Sequence, residues 1–339
     1  LDMAAQNVSR FLPVLFFVLA FGMLLYMCLL FAEDTLDRSH HKPSVISPGS
    51  VIIRDPAHDT LSMKTAPPNL YIRDKVSKIV RPWEIIQIYK RSIEPEDFDF
   101  EVNETLIRRH NKTESLPEQQ TCAVVGNSGI LSDSNCGRAI DSHDYIYRMN
   151  LAPFGQEYGK DVGYRTNITT LNYSQLKSMA KCAKKRFAKM SPARALMLTN
   201  MKLYNHSVIW YPKGGSRKGN MNALSRGMKD IFNFTAGWAY SPVSLFGAVP
   251  RIWKKRTPST GLLLLSAASL FCERITMYGF YPFYVDSRNR TLMYHYYDSD
   301  PLNYTTNAHK MPLEFKIYLE LEKQFAVKIQ LGDCLKTAV

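Results

Sequence analysis

The chain has 339 residues, 45% hydrophobic and 12% aromatic, with 43 Lys plus Arg against 30 Asp plus Glu. This composition excludes a disordered polyelectrolyte, and the net charge of +13 calls for an anionic partner: nucleic acid, a membrane surface or an acidic small molecule. Residues 33–119 hold a net −2 and residues 120–339 a net +15, so all the excess lies in the C-terminal two thirds.

In chain order, the first element is a 22-residue run without formal charge, residues 11–32. At about 1.5 Å per helical residue it matches the roughly 30 Å hydrocarbon core of a bilayer, and predicts a transmembrane signal anchor. Residues 1–10 carry Arg10 and Asp2, and Glu33, Asp34 and Asp37 follow the run, a weak bias that assigns residues 1–10 to a cytosolic tail. A cleaved signal peptide fits less well, because its apolar region is about 7–15 residues long and ends at a small-residue site. Everything beyond residue 33 is then expected on the luminal or extracellular side.

Two features of that side agree. Asn-x-Ser/Thr acceptors occur at Asn103, Asn111, Asn167, Asn172, Asn205, Asn233, Asn289 and Asn303. Of the six cysteines, Cys28 lies in the apolar run, and Cys122, Cys136, Cys182, Cys272 and Cys334 are widely spaced without a C-x-x-C pair. Long-range disulfides are therefore expected rather than a zinc site, with one cysteine left over and the pairing open. Nucleic-acid binding fits poorly with an anchor and glycan acceptors on the basic side.

Residues 33–80 mix Ser, Pro, His and charges and read as a stem, with the folded domain assigned to residues 81–339. Within it, strands are predicted at CAVVG (122–126), YIYRM (145–149), NITTL (167–171), ALML (195–198), SVIWY (207–211), ITMYG (275–279) and VKIQL (327–331). Helices are predicted over 174–190, 219–232, 260–272 and 312–325. This alternation predicts an α/β domain with a largely parallel central sheet, whose ligand lies beyond the carboxyl ends of the strands.

Three constellations bear chemistry. Gly126-Asn127-Ser128-Gly129 closes a buried-type strand, a turn that either lets backbone amides approach an anion or is structural. Ser259 and Thr260 precede an apolar helix, downstream of the basic residues Arg251, Lys254 and Lys255; they read as N-cap residues or as ligands of a phosphate or carboxylate. YHYYDSDP (294–301) is followed by His309 and Glu314, and two histidines with neighbouring acids can supply a base and a phosphate-binding donor. Asp298-Ser299-Asp300 matches a D-x-D metal pattern, but a turn ending in Pro301 explains it, and no metal is expected.

Together and in this order, these segments resemble the sialyltransferase family. CAVVGNSGILSDSNCGRAIDSHDYIYRMNLAPFGQEYGKDVGYRTNITTLN matches its large motif, PSTGLLLLSAASLFCERITMYGF its small motif, HYYD the third, and His309 through Glu314 the very small one. GNSG, the NLAP run, HYYD and HKMPLEF look most like the α2,8 branch, which adds sialic acid to sialic acid from CMP-sialic acid. The resemblance implies a GT-A-like Rossmann variant, no cofactor, and a type II anchor in the Golgi membrane. It also implies His309 as base, His295 as donor to the departing phosphate, and Asn127, Ser128, Asn150, Ser259, Thr260 and Gly261 as donor contacts. Cys122 would pair with Cys272 and Cys136 with Cys334, leaving Cys182 free. The acceptor would be a sialylated glycoprotein or ganglioside; the alternatives are a transferase acting on galactose or N-acetylgalactosamine, and a catalytically silent sialoglycan-binding protein.

Overall fold

Short runs of β-branched and aromatic residues, buried on both faces, form the centre of the molecule. The computed structural model describes residues 69–89, 113–212, 218–254, 257–299 and 310–335. Its strands are β1 (Gln87–Tyr89), β2 (Thr113–Ser115), β3 (Gln119–Val125), β4 (Tyr145–Arg148), β5 (Ile168–Thr170), β6 (Val208–Tyr211), β7 (Gly237–Tyr240), β8 (Cys272–Tyr278) and β9 (Lys328–Gln330). They form one sheet of order β2-β1-β7-β6-β5-β4-β3-β8-β9. From β7 to β9 every neighbour is parallel, while β1 runs antiparallel to both β2 and β7.

The helices are α1 (Leu70–Ser77), α2 (Pro82–Ile85), α3 (Gly137–Asp141), α4 (Gly159–Val162), α5 (Tyr173–Lys184), α6 (Pro192–Leu203), α7 (Lys218–Phe232), α8 (Leu245–Trp253), α9 (Thr260–Ala268) and α10 (Met311–Lys323). One core layer joins α1, α8, α9 and α10 to the sheet through Val76, Leu245, Leu263 and Phe315. The other joins α3 to α7 through Ile140, Val162, Leu176, Met201 and Leu224. Both faces of the parallel strands are thus covered, as such a sheet requires. Among the described residues no helix is long and apolar enough to cross a membrane, and the run at 11–32 lies outside them.

Three expectations change. ALML is not a strand but part of α6, where Pro192 at the first position and Ala, Leu and Met throughout favour a helix. Only Leu198 of that run is buried. The strands QIY, TES and GWAY, at β1, β2 and β7, are too short to show an alternating pattern. The third change is the stem boundary: α1 falls inside the segment read as stem, yet Ile72 and Val76 are fully buried. Arg73 Nε and Nη2 donate to Ser269 O and Cys272 O, so the folded core begins by residue 69.

Two disulfides fasten the core. Cys122–Cys272 joins neighbouring strands β3 and β8 with Cα atoms 6.0 Å apart, and Cys136–Cys334 ties the start of α3 to the C-terminal segment at 4.9 Å. These are the pairs implied by the resemblance; Cys182 is free and buried.

His143 is buried at the end of α3, its Nδ1 facing the carbonyls of Ala139 and Ile140. Burial holds its pKa below the usual 6.5, against the upward pull of those carbonyls and Asp144. The unfolded chain therefore takes up a proton near pH 6.5 that the folded chain refuses, and stability present above that pH is lost as pH falls towards the lower folded value. Thermal unfolding at pH 7.5 and 5.5 should show a drop in Tm that is smaller in His143→Gln.

Candidate active site

The strand order reverses at β3: the chain proceeds to β4 on one side and returns as β8 on the other. At such a switch point a crevice opens beyond the carboxyl ends of the strands. Three glycines set its floor. Gly126 N donates to Tyr278 O (2.6 Å) and Ser128 N to Gly279 O (3.2 Å). A Cβ on Gly126 would lie 2.4 Å from Gly279 O, and one on Gly129 would lie 2.4 Å from Met293 O. Gly279 has φ 72°, a conformation that glycine adopts without strain. The GNSG turn is glycine-rich because two other backbone segments cross it at contact distance.

One of those segments carries the third motif. Tyr296 N donates to Asn127 O (3.0 Å), and Tyr296 Oη donates to Pro153 O. Asn127 Nδ2 lies 3.4 Å from Met149 O and 3.5 Å from Tyr297 Oη, so Asn127 joins the ends of β3 and β4 to this segment. Burial raises the Tyr297 hydroxyl far above its usual pKa of 10.0, with Asp298 adding to the rise, so it stays protonated as a donor.

His295 is held by its own segment. Its Nδ1 is 2.5 Å from Asp298 Oδ2, and its backbone N–H donates to Asp298 Oδ1 at 3.2 Å. Its ring stacks on Tyr297 with centroids 4.9 Å apart and planes 11° from parallel. With Nδ1 taken by the carboxylate, Nε2 is the nitrogen left for a ligand, and the side chain is 28% exposed. Asp298, read from the sequence as part of a D-x-D pattern explained by a turn, orients this imidazole. Asp300 and His309 lie outside the described residues.

Asn150 and Leu151 both adopt left-handed backbone, at φ 56° and 55°. They are pinned there from β5: Asn150 N donates to Thr170 Oγ1 (3.0 Å) and Leu151 N to Thr169 Oγ1 (3.3 Å). Gln175 of α5, the N3 residue of a capping box with Asn172, donates to Asn150 O at 2.8 Å. Thr169, Thr170 and Gln175 were not singled out from the sequence; a threonine pair at a strand end and the Asn172-x-x-Gln175 capping spacing are their signals.

The small-motif residues meet the crevice through Phe280, whose ring lies 2.6 Å from where a Cβ on Gly261 would stand. Ser259 is the N-cap of α9: its Oγ accepts from Leu262 N (3.2 Å) and donates to Glu314. Glu314, only 2% exposed, also accepts Ser259 N–H (2.8 Å) and the Tyr318 hydroxyl (3.3 Å). Ser128 likewise donates its hydroxyl to Tyr281 O (2.7 Å). Both serines are engaged by the protein itself, as are the side chains of Asn127 and Asn150, and Thr260 and Gly261 form the first turn of α9.

Of the glycan acceptors, Asn233 and Asn289 are exposed in left-handed turns. Asn167, Asn172 and Asn205 are half-buried and use Oδ1 as acceptor from Ile146 N, Gln175 N and Thr235 N. Asn103, Asn111 and Asn303 lie outside the described residues. Arg251 and Lys254 are exposed. No cluster of three metal-ligating side chains occurs among the described residues.

Glycine backbone crossings and a carboxylate-held imidazole thus come together beyond the ends of β3 and β8 in an α/β fold. Residues 83–326 match the family described as glycosyltransferase family 29 (sialyltransferase), and the chain belongs to that family. It is 34% identical over 246 residues to an alpha-N-acetylneuraminide alpha-2,8-sialyltransferase of Xenopus tropicalis, covering 67% of each chain. The Bos taurus protein of the same name is 35% identical over 239 residues, 66% of this chain and 64% of that one. The chain thus spans about two thirds of these relatives. A crystal structure of a mammalian sialyltransferase aligns at 17% identity and a TM-score of 0.42, covering 79% of this chain and 91% of that one. The same figures for identity and TM-score hold for a mammalian sialyltransferase in complex with Gal-beta-1-3GalNAc-ortho-nitrophenol, over 79% and 90%.

Proposed function

We propose that this chain transfers sialic acid from CMP-sialic acid to the terminal sialic acid of a glycoprotein or glycolipid glycan, forming an α2,8 linkage with inversion and without a metal. The observation that carries the reading is the His295–Asp298 pair on the glycine-floored crevice of a family 29 chain. The names of the two relatives support the linkage.

In this reading His309, five residues before Glu314, takes the proton of the acceptor 8-hydroxyl. That oxygen forms the new bond to the anomeric carbon while the bond from the anomeric carbon to the phosphate oxygen breaks, and CMP leaves with the electron pair. Nε2 of His295 hydrogen-bonds the departing phosphate, where negative charge develops in the transition state. The Thr260 and Gly261 amides and the positive end of α9 add to that stabilisation. The uncharged run at 11–32 and the stem support a type II anchor in the Golgi membrane with the folded domain luminal.

The test incubates the full chain in detergent with CMP-sialic acid and matched acceptors, sialylated and desialylated, with and without EDTA. CMP release with the sialylated acceptor alone, an α2,8 product and no effect of the chelator are expected. Transfer only to the desialylated acceptor replaces the reading with a galactose-directed enzyme. Absence of CMP release with every acceptor replaces it with sialoglycan binding, and strong chelator inhibition removes the metal-independent step.

A further inference from the structure

Among the described residues one Lys or Arg is buried: Arg148, 1% exposed at the last position of β4. Its Nη2 donates to Val162 O (2.6 Å) and Arg165 O (2.8 Å), and its Nε to Arg165 O (3.3 Å). Nη1 is buried with no partner, and Cζ sits 4.8 Å from the centroid of the Phe154 ring. No carboxylate pairs with this guanidinium among the described residues. The buried acids are engaged elsewhere, Asp286 by Arg290 (2.7 Å) and Glu314 by Ser259 and Tyr318. Asp141, whose charge acts on Arg148, gives its two carboxylate oxygens to Tyr164 N and Arg165 N.

A buried arginine is ordinarily paired with an acid, and it cannot escape the cost of burial by losing its proton. Burial pushes Arg148 below its usual pKa, against the upward pull of Tyr204, Tyr296 and Asp141. A neutral amide would serve the carbonyls of Val162 and Arg165 without that cost, so the charge itself has a use.

Its place indicates which. Arg148 stands opposite Val125 of β3 and Thr169 of β5, level with the residue that precedes the GNSG turn. The next residue, Met149, presents its carbonyl to Asn127, and Asn150 follows. Tyr204 and Tyr296, whose hydroxyls donate to Ala152 O and Pro153 O, both feel the charge, and Tyr296 adjoins His295. The unpaired cation therefore lies behind the crevice floor, where protein rather than water transmits its field.

We propose, given the donor assigned above, that Arg148 is a built-in counter-charge for CMP-sialic acid: the fold leaves its guanidinium without an acid, and the phosphate entering the crevice completes the pair through space. A charge fixed behind the floor attracts the bound donor and the departing CMP alike. It therefore acts on the donor KM and on CMP affinity far more than on kcat.

The test compares binding of anionic CMP and uncharged cytidine to the full chain by calorimetry. The preference for CMP is expected to fall about tenfold or more in Arg148→Gln, which keeps an N–H for the carbonyls, and to return in Arg148→Lys, which keeps the charge. The donor KM should rise by a similar factor in Arg148→Gln, with a much smaller change in kcat. A brace serving the fold alone would lower Tm in both variants and leave the CMP-to-cytidine ratio unchanged, which overturns the proposal. If Arg148→Gln does not fold, the wild type decides: a buried charge is screened little, so the preference should persist from about 0.1 M to about 1 M salt. Its collapse at the higher concentration overturns the proposal. Failure of the wild type to bind CMP at all overturns the donor assignment, and the role of Arg148 with it.

Discussion

His295→Ala is expected to lower kcat for transfer from CMP-sialic acid by about 10²–10³, with a much smaller change in the donor KM. The imidazole is aimed rather than merely present: Asp298 holds Nδ1 at 2.5 Å and Tyr297 stacks on the ring, so Nε2 is delivered to the crevice in one orientation. A contact that strengthens as the phosphate departs acts on kcat, whereas a uniform donor contact would act on KM. Asp298→Asn leaves the ring packed but lets the amide present either oxygen or nitrogen to Nδ1. Its expected loss is about tenfold to a hundredfold, smaller than that of His295→Ala and nearly absent when both are combined, because the two act as a unit. His309→Ala, removing the proposed base, should cost about 10²–10⁴. Steady-state kinetics on the purified variants checks all four, and a His295→Ala enzyme within twofold of wild type would sink the leaving-group assignment.

The double variant Cys122→Ala/Cys272→Ala should lose a large share of the fold's stability. The bridge closes 150 residues, and the chain-entropy relation gives about 5 kcal/mol for a loop of that length. Both half-cystines are fully buried, and β3 and β8 are the strands whose carboxyl ends form the crevice, so the freedom regained by the unfolded chain is not the only loss. Urea unfolding under non-reducing conditions measures the cost, and transfer activity is expected to fall below what residual folding accounts for. A stability change under about 1 kcal/mol would contradict the entropic account.

How much of this was legible in the sequence differs between elements. Strands buried on both faces, such as CAVV in β3 and ITMY in β8, declare themselves as continuous apolar runs. β1, β2 and β7 do not, since three or four residues carry no period and their pairing is set by distant partners. ALML misled because a four-residue apolar run is compatible with either state, and the proline that decides it lies three positions upstream. At the site, the motif histidines and the GNSG turn were visible as residue types. What sequence could not convey was division of labour: that the glycines serve close crossing of backbones, that Ser259 and Ser128 are engaged internally, and that Asp298 serves the histidine three residues before it. The roles of the glycines and of Ser128 depend on segments more than 100 residues apart meeting at one place, and that of Ser259 on a glutamate 55 positions on.

The disulfide connectivity imposes an order on how the chain is made. Cys122 and Cys136 emerge first, only 14 positions apart, while their partners Cys272 and Cys334 follow 150 and 198 residues later. During synthesis from the N-terminus the two early thiols meet each other long before either native partner exists, and a short-range 122–136 bridge is the first pairing open to them. Such a bridge has to be reduced and exchanged before β8 can dock beside β3. Maturation of this enzyme is therefore tied to the thiol-exchange capacity of the compartment that folds it, and β8 docking marks the point at which the crevice first exists.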